Sequence, residues 1–145
     1  MLNKEDLGVK RFFVIASHHQ LADGMRDTLE FIAGENSNIF TLSAYIDNQP
    51  VDKQVDDLMK HFGSEDEVIV LTDLMAGSVN QKFFAYRNKK HVHIISGINL
   101  PLVVSLVMEP ADAYLSNTRI NELIKEARQQ IINVSEYEVD SDDDE

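Results

Sequence analysis

Four short apolar runs, each followed by a segment with helical spacing, constrain this chain more than any other feature. "RFFVIA" (11–16), "NIFTLSAY" (38–45), "EVIVLT" (67–72) and "HVHIIS" (91–96) are rich in β-branched and aromatic residues, which marks them as strands. After the first, Leu21, Met25, Leu29 and Ile32 recur at helical spacing until Gly34. After the second, Pro50 stands at a first helical position, and Val51, Val55, Leu58, Met59 and Phe62 line one face until Gly63. "SVNQKFFAYRN" (78–88) follows the third strand as a helix. A short apolar helix after "GINLPL" runs to Met108, and Ile120, Leu123, Ile124, Ala127 and Ile131 mark a last amphipathic helix. This alternation predicts an α/β fold: a doubly wound, mainly parallel four-stranded sheet with helices on both faces.

Such a sheet binds its ligand outside the carboxyl ends of the strands, where the winding direction reverses. Three loops with unusual chemistry lie there: "SHH" (17–19), "TDLMAGS" (72–78) and "SGINLP" (96–101). An isolated histidine is most often a solvent-facing surface residue. His18 and His19 instead stand at the active edge, with Asp73 beyond a neighbouring strand. An imidazole nitrogen is free to attack only when the other carries the proton, and a carboxylate accepting that proton's hydrogen bond selects the useful tautomer. His18 and Asp73 are therefore a candidate nucleophile pair. In "AGS", small residues such as Gly77 let backbone N–H groups approach an anion. Ser78 either donates to a phosphoryl oxygen or caps the helix, and the two roles are compatible.

Other chemistries have weaker support. Neither GxxxxGK[ST] nor GxGxxG is present, so the usual signatures of nucleoside triphosphate and dinucleotide binding are missing. His91 and His93 alternate along a strand but start it, at the end opposite the loops, and are expected to be structural. His61, in the last turn of its helix, suits the dipole there. No metal site is expected.

Charge needs one correction before it is interpreted. The formal charge is −12, but the last eleven residues hold seven acids and no base, leaving 13 basic and 18 acidic groups in residues 1–134. The body is only mildly acidic, which argues against sequence-independent nucleic-acid binding. At 145 residues without cysteine, the chain suits one domain with a real core and no disulfides or thiolate chemistry. The charged start "MLNKEDLGVKR" lacks the apolar centre of a secretory signal, and no apolar run reaches the roughly 20 residues of a membrane span. A cytoplasmic protein is expected.

Taken in order, "VIASHHQLADGM", "VIVLTDLMAGSVN" and "HIISGINLPLVVSLV" resemble the IIA domain of the mannose family of the bacterial phosphoenolpyruvate-dependent sugar phosphotransferase system. The resemblance runs from about residue 11 to about residue 134. It implies that His18 carries a phosphoryl group from the histidine-containing phosphocarrier protein to a IIB unit, and serves the membrane sugar permease units indirectly. Asp73 matches the aspartate that orients the histidine, and Ser78 the serine of the family's G-G-S turn. Two positions depart from the pattern. His19 replaces the glycine after the histidine, where its side chain would affect partner docking or need an unusual backbone angle, and Ala76 replaces the first glycine of G-G-S.

The resemblance further implies a phosphotransferase with no metal or organic cofactor, and sugar specificity residing in the membrane units. It also implies a C-terminal antiparallel strand exchanged in a homodimer, for which "IINVS" (131–135) fits. The domain organisation it suggests is an N-terminal extension (1–10), a IIA domain (11–135) and an acidic, disordered tail (136–145). The alternatives are a phosphorylation-controlled regulatory IIA-like module and, more distantly, a metal-dependent hydrolase using His18 and Asp73.

Overall fold

A computed structural model describes residues 8–139. Its order is β1 (Arg11–His18), α1 (Leu21–Ala33), β2 (Ile39–Ala44), α2 (Val51–Met59), β3 (Glu67–Thr72), α3 (Ser78–Phe83), β4 (Val92–Ser96), α4 (Leu100–Val107) and α5 (Asn117–Arg128). The four strands form one sheet in the order β2-β1-β3-β4, and every pairing is parallel. Parallel neighbours need long crossovers, and here helices supply them on both faces of the sheet.

Side chains alternate faces along a strand, and in the central strands both faces are apolar. Phe13, Ile15, Ile69 and Leu71 pack against Leu29 of α1, Val103 and Leu106 of α4, and Leu123 of α5. Val14, Ala16, Val68 and Val70 face the other way, toward Val55 and Met59 of α2 and Val79 and Phe83 of α3. All six residues of β3 are buried. The doubly wound sheet with helices on both faces is therefore as the alternation of runs predicts.

Several boundaries differ from the sequence reading. β1 continues two residues past Ala16, so His18 is its last residue and lies within the strand. In α1 the buried stripe is Ala22, Met25 and Leu29, spaced three and four apart, whereas Leu21 and Ile32 are exposed. Pro50 caps α2, one residue before its first position. That helix stops at Met59, leaving His61 in the turn beyond it. The α3 segment is a short helix followed by a 3-10 turn over Phe84–Tyr86.

At the amino ends of the strands a polar cluster is buried within the apolar layers. Arg11 on β1 and Glu67 on β3 are register partners and form an ion pair. The Arg11 guanidinium also donates to the carbonyls of Glu109, Pro110 and Ala113 at 3.1, 3.0 and 2.9 Å. The second Glu67 oxygen accepts from Leu115 N–H at 2.7 Å and lies 3.7 Å from His93 Nε2. The pair thus ties the connection between α4 and α5 to the sheet. His91 precedes β4 and does not alternate along it. Its ring stacks on Tyr114 at 3.6 Å, which keeps both histidines at the end expected of structural residues.

The expected strand at 131–135 is absent within the single chain. α5 ends at Arg128, residues 131–133 are irregular, and Val134–Glu136 is a 3-10 turn. The physical reason is that this segment meets no sheet edge of its own chain: Ile131, Ile132, Val134, Tyr137 and Val139 are all exposed. Of the expected extension (1–10) and tail (136–145), residues 1–7 and 140–145 lie outside the described residues. Among the described residues, no helix is long and apolar enough to cross a membrane.

Candidate functional site

The sheet register places the site. Ala16 pairs with Thr72, the last residue of β3, so His18 projects two residues beyond that neighbour and Asp73 follows it directly. The chain leaves β1 toward β2 on one side, while β3 lies on the other. His18 and Asp73 thus occupy the point where the winding reverses, as expected.

Because β1 overshoots β3, the His18 main-chain N–H has no carbonyl of β3 opposite it. Asp73 Oδ2 accepts that N–H at 2.9 Å and lies 3.0 Å from His18 Nδ1. Asp73 Oδ1 accepts from Leu74 N–H at 2.9 Å. Burial alone would push the Asp73 carboxyl up. The His18 main-chain and ring hydrogen bonds, the attraction of the imidazole and the Leu74 N–H outweigh it and hold the carboxyl below its usual range. An ionised carboxylate only accepts, so the proton of this contact sits on Nδ1 and Nε2 keeps its lone pair in the neutral ring. The His18 side chain is 36% exposed and that of Asp73 only 10%: a shielded orienting group behind a partly exposed imidazole.

The loop from Asp73 to Gly77 is braced by Asn80, whose amide donates to Met75 O while its oxygen accepts from Thr72, both at 2.9 Å. Gly77 is required here by space and not by its backbone angles. A Cβ on it would stand 2.8 Å from His18 Cε1 and 3.2 Å from Leu74, so a larger residue must displace the imidazole or the loop. Gly77, not Ser78, occupies the N-cap position of α3, which corrects the capping alternative for Ser78. Its hydroxyl instead lies 2.5 Å from Tyr45 OH and 3.5 Å from His18 Nε2.

Tyr45 is the participant that the sequence reading missed. It follows β2 directly with φ +65°, and its ring stacks on His18 at 5.5 Å between centroids. Its position was legible in one respect, because it ends a third strand at the same edge as His18 and Asp73. The left-handed backbone that turns its ring inward leaves no mark in the sequence.

His19 is exposed and has φ +55°, the unusual angle anticipated for a side chain at this position. Its N–H continues the ladder with β2, donating to Ala44 O at 2.7 Å. A Cβ in the left-handed region costs about 1–2 kcal/mol, partly offset by the extra unfolded-state freedom of glycine. We expect His19→Gly to be neutral or stabilising by up to about 1 kcal/mol in urea denaturation, and the β-branched His19→Val to be destabilising. A clear loss of stability in His19→Gly would mean that the imidazole makes a contact that offsets its strain.

His18, Asp73, Gly77 and Ser78 therefore come together, with His19 at their rim. His91 and His93 stand at the far end of the strands, and among the described residues no three His, Cys, Asp or Glu side chains gather as a metal cluster.

Comparison with known proteins converges on one group. The family model for the PTS system fructose IIA component (EIIA-man) matches residues 12–133. A candidate phosphoenolpyruvate-dependent sugar phosphotransferase system (PTS) permease from Klebsiella pneumoniae is 34% identical, with a TM-score of 0.81 over 94% of this chain and 97% of that one. The PTS IIA protein associated with the fucose utilization operon of Streptococcus pneumoniae is 29% identical, with a TM-score of 0.70 over 88% and 96%. The mannose/sorbose-specific IIA subunit from Enterococcus faecalis is 16% identical and shares the fold, with a TM-score of 0.73 over 91% and 100%.

Proposed function

This chain belongs to the PTS system fructose IIA component family, of the mannose type, and we propose that it relays a phosphoryl group through His18. The donor is the phosphohistidine of the phosphocarrier protein and the acceptor a IIB unit, in the cytoplasm. The observation that carries the reading is the asymmetry of the partly exposed imidazole, with Nδ1 bound to Asp73 and Nε2 facing only a long 3.5 Å contact to Ser78.

In the forward step the Nε2 lone pair attacks phosphorus as the donor's N–P bond breaks and its electron pair returns to the donor ring. The product is a phosphoimidazolium with its proton still on Nδ1, and the Asp73 carboxylate stabilises that positive charge. Ser78 and the space kept by Gly77 accommodate the phosphoryl oxygens. Since the donor is already activated, positioning and anion stabilisation suffice. His19, exposed beside the nucleophile, contributes to partner docking.

The test is incubation with phosphoenolpyruvate, the general phosphotransferase enzyme and the phosphocarrier, then addition of a IIB unit. We expect an acid-labile, chelator-insensitive label that the IIB unit removes. A label abolished by chelation of metals other than the magnesium needed upstream would favour the hydrolase alternative, and a label that no IIB unit removes would favour the regulatory one.

The C-terminal segment is proposed to pair with the sheet of a second copy. β4 has only β3 as a neighbour, and a groove of about 740 Å³ beside it is lined by Ile94, Phe84, Ile124 and Arg128. An unpaired edge and a run of exposed apolar residues are complementary liabilities, and mutual exchange covers both in a two-fold dimer. We expect a dimer by light scattering that survives removal of residues 138–145, whereas deletion from residue 130 onward destabilises or aggregates the protein. A stable, soluble monomer from the longer deletion rules out the exchange.

A further inference from the structure

Ser78 has an unusual pair of neighbours. Its hydroxyl is within hydrogen-bond distance of Tyr45 OH and 3.5 Å from His18 Nε2, too long for a good hydrogen bond. A hydroxyl offers one proton and two lone pairs, and a phenol is a better donor than an alkyl alcohol. With Tyr45 as the donor to Ser78, the Ser78 proton is free to turn toward the Nε2 region, where the resting site offers no close acceptor. The resting site leaves the nucleophilic lone pair almost untouched while holding a polarised donor beside it.

We propose that Tyr45 is a positioning residue for phosphoryl transfer, acting through Ser78. This rests on the reading of His18 as the acceptor. A phosphoryl group joining Nε2 brings its oxygens into the gap between Nε2 and Ser78 Oγ, where they become the acceptor that the Ser78 proton lacks. The hydrogen bond is thus made by the transferring group and hardly at all by the resting ring, which is the condition for an interaction to accelerate transfer. The Tyr45 ring, stacked on His18 at 25°, also restrains the imidazole from turning Nε2 away. Two features mark the arrangement as held in place for this purpose. Tyr45 keeps a left-handed backbone, costly for a non-glycine residue, and its side chain is half-exposed, so no core packing accounts for its position.

The test uses the full chain and single-turnover transfer from the phosphorylated phosphocarrier. Tyr45→Phe keeps the ring and removes the hydroxyl, Ser78→Ala removes the intermediary, and the double variant closes the cycle. We expect Tyr45→Phe to lower the saturated transfer rate about 10- to 100-fold, the worth of one hydrogen bond to a charged group, without changing half-saturation by the phosphocarrier. In the Ser78→Ala background Tyr45→Phe should have no further effect. Thermal melts of all variants should match the parent. An unchanged saturated rate in Tyr45→Phe, or effects that add fully, overturns the proposal while leaving His18 as the acceptor. Failure of the parent protein to take up label overturns both.

Discussion

Asp73→Asn is expected to slow phosphoryl transfer by on the order of 10²–10⁴-fold, the scale seen when a carboxylate beside a working imidazole becomes an amide. Three N–H groups converge on this carboxylate: the His18 main chain, the His18 ring and Leu74. An amide cannot accept all three. If its oxygen faces His18, the tautomer survives, but the phosphoimidazolium loses its counter-charge and the Leu74 N–H meets a donor. If its NH₂ faces His18, the main-chain N–H is opposed and the ring is driven to carry its proton on Nε2, which removes the nucleophile. Either orientation impairs transfer. The Leu74 N–H is exposed and can turn to water, so the melting temperature should move by only a few degrees. A saturated transfer rate within about tenfold of the parent, worth under 1.4 kcal/mol of barrier, would remove Asp73 from the chemistry.

Glu67→Ala is expected to destabilise the fold by about 3–5 kcal/mol without touching the site, because it leaves the buried Arg11 guanidinium without a counter-charge. Replacing both partners by apolar residues often recovers such a loss, but here it should do so only in part. Arg11 also satisfies three carbonyls between α4 and α5, and Glu67 satisfies the Leu115 N–H. Burial alone would raise the Glu67 carboxyl, but the nearby His93 ring, the Arg11 guanidinium and the Leu115 N–H hold it below its usual range. A lowered folded-state pKa means that the stabilisation is complete above the ordinary glutamate value, about 4.3. It is lost as the pH falls through the lower folded-state value. Urea titrations should therefore show the parent losing stability in that acid range, with a smaller loss in Glu67→Ala. A penalty under about 1 kcal/mol at neutral pH would mean that Arg11 finds water when its partner is gone.

The parallel sheet was legible because β1 and β3 bury both faces, which writes an unbroken apolar run into each. His18 and Asp73 were legible because the carboxyl-edge rule needs only strand order, and the register then set them side by side. The inner face of α1 was partly misread: Leu21 fits the helical spacing, but Ala22 is the residue that meets the sheet, and alanine carries too little hydrophobic signal to compete. The buried pairing of Arg11 and Glu67 was not legible, since nothing local shows that the connection from Glu109 to Leu115 folds over these strand ends. Tyr45 depended on a left-handed residue after β2, and the segment read as a strand at 131–135 is irregular up to a 3-10 turn over Val134–Glu136, since β-branched residues alone do not supply a neighbouring strand.

The most direct measurement of the central claim is the intact mass of the parent, His18→Ala and His19→Ala after incubation with phosphoenolpyruvate, the general phosphotransferase enzyme and the phosphocarrier. With Nε2 of His18 as the sole acceptor, the parent and His19→Ala each gain the mass of one phosphoryl group and His18→Ala gains none. Stoichiometric labelling of His18→Ala would contradict the account.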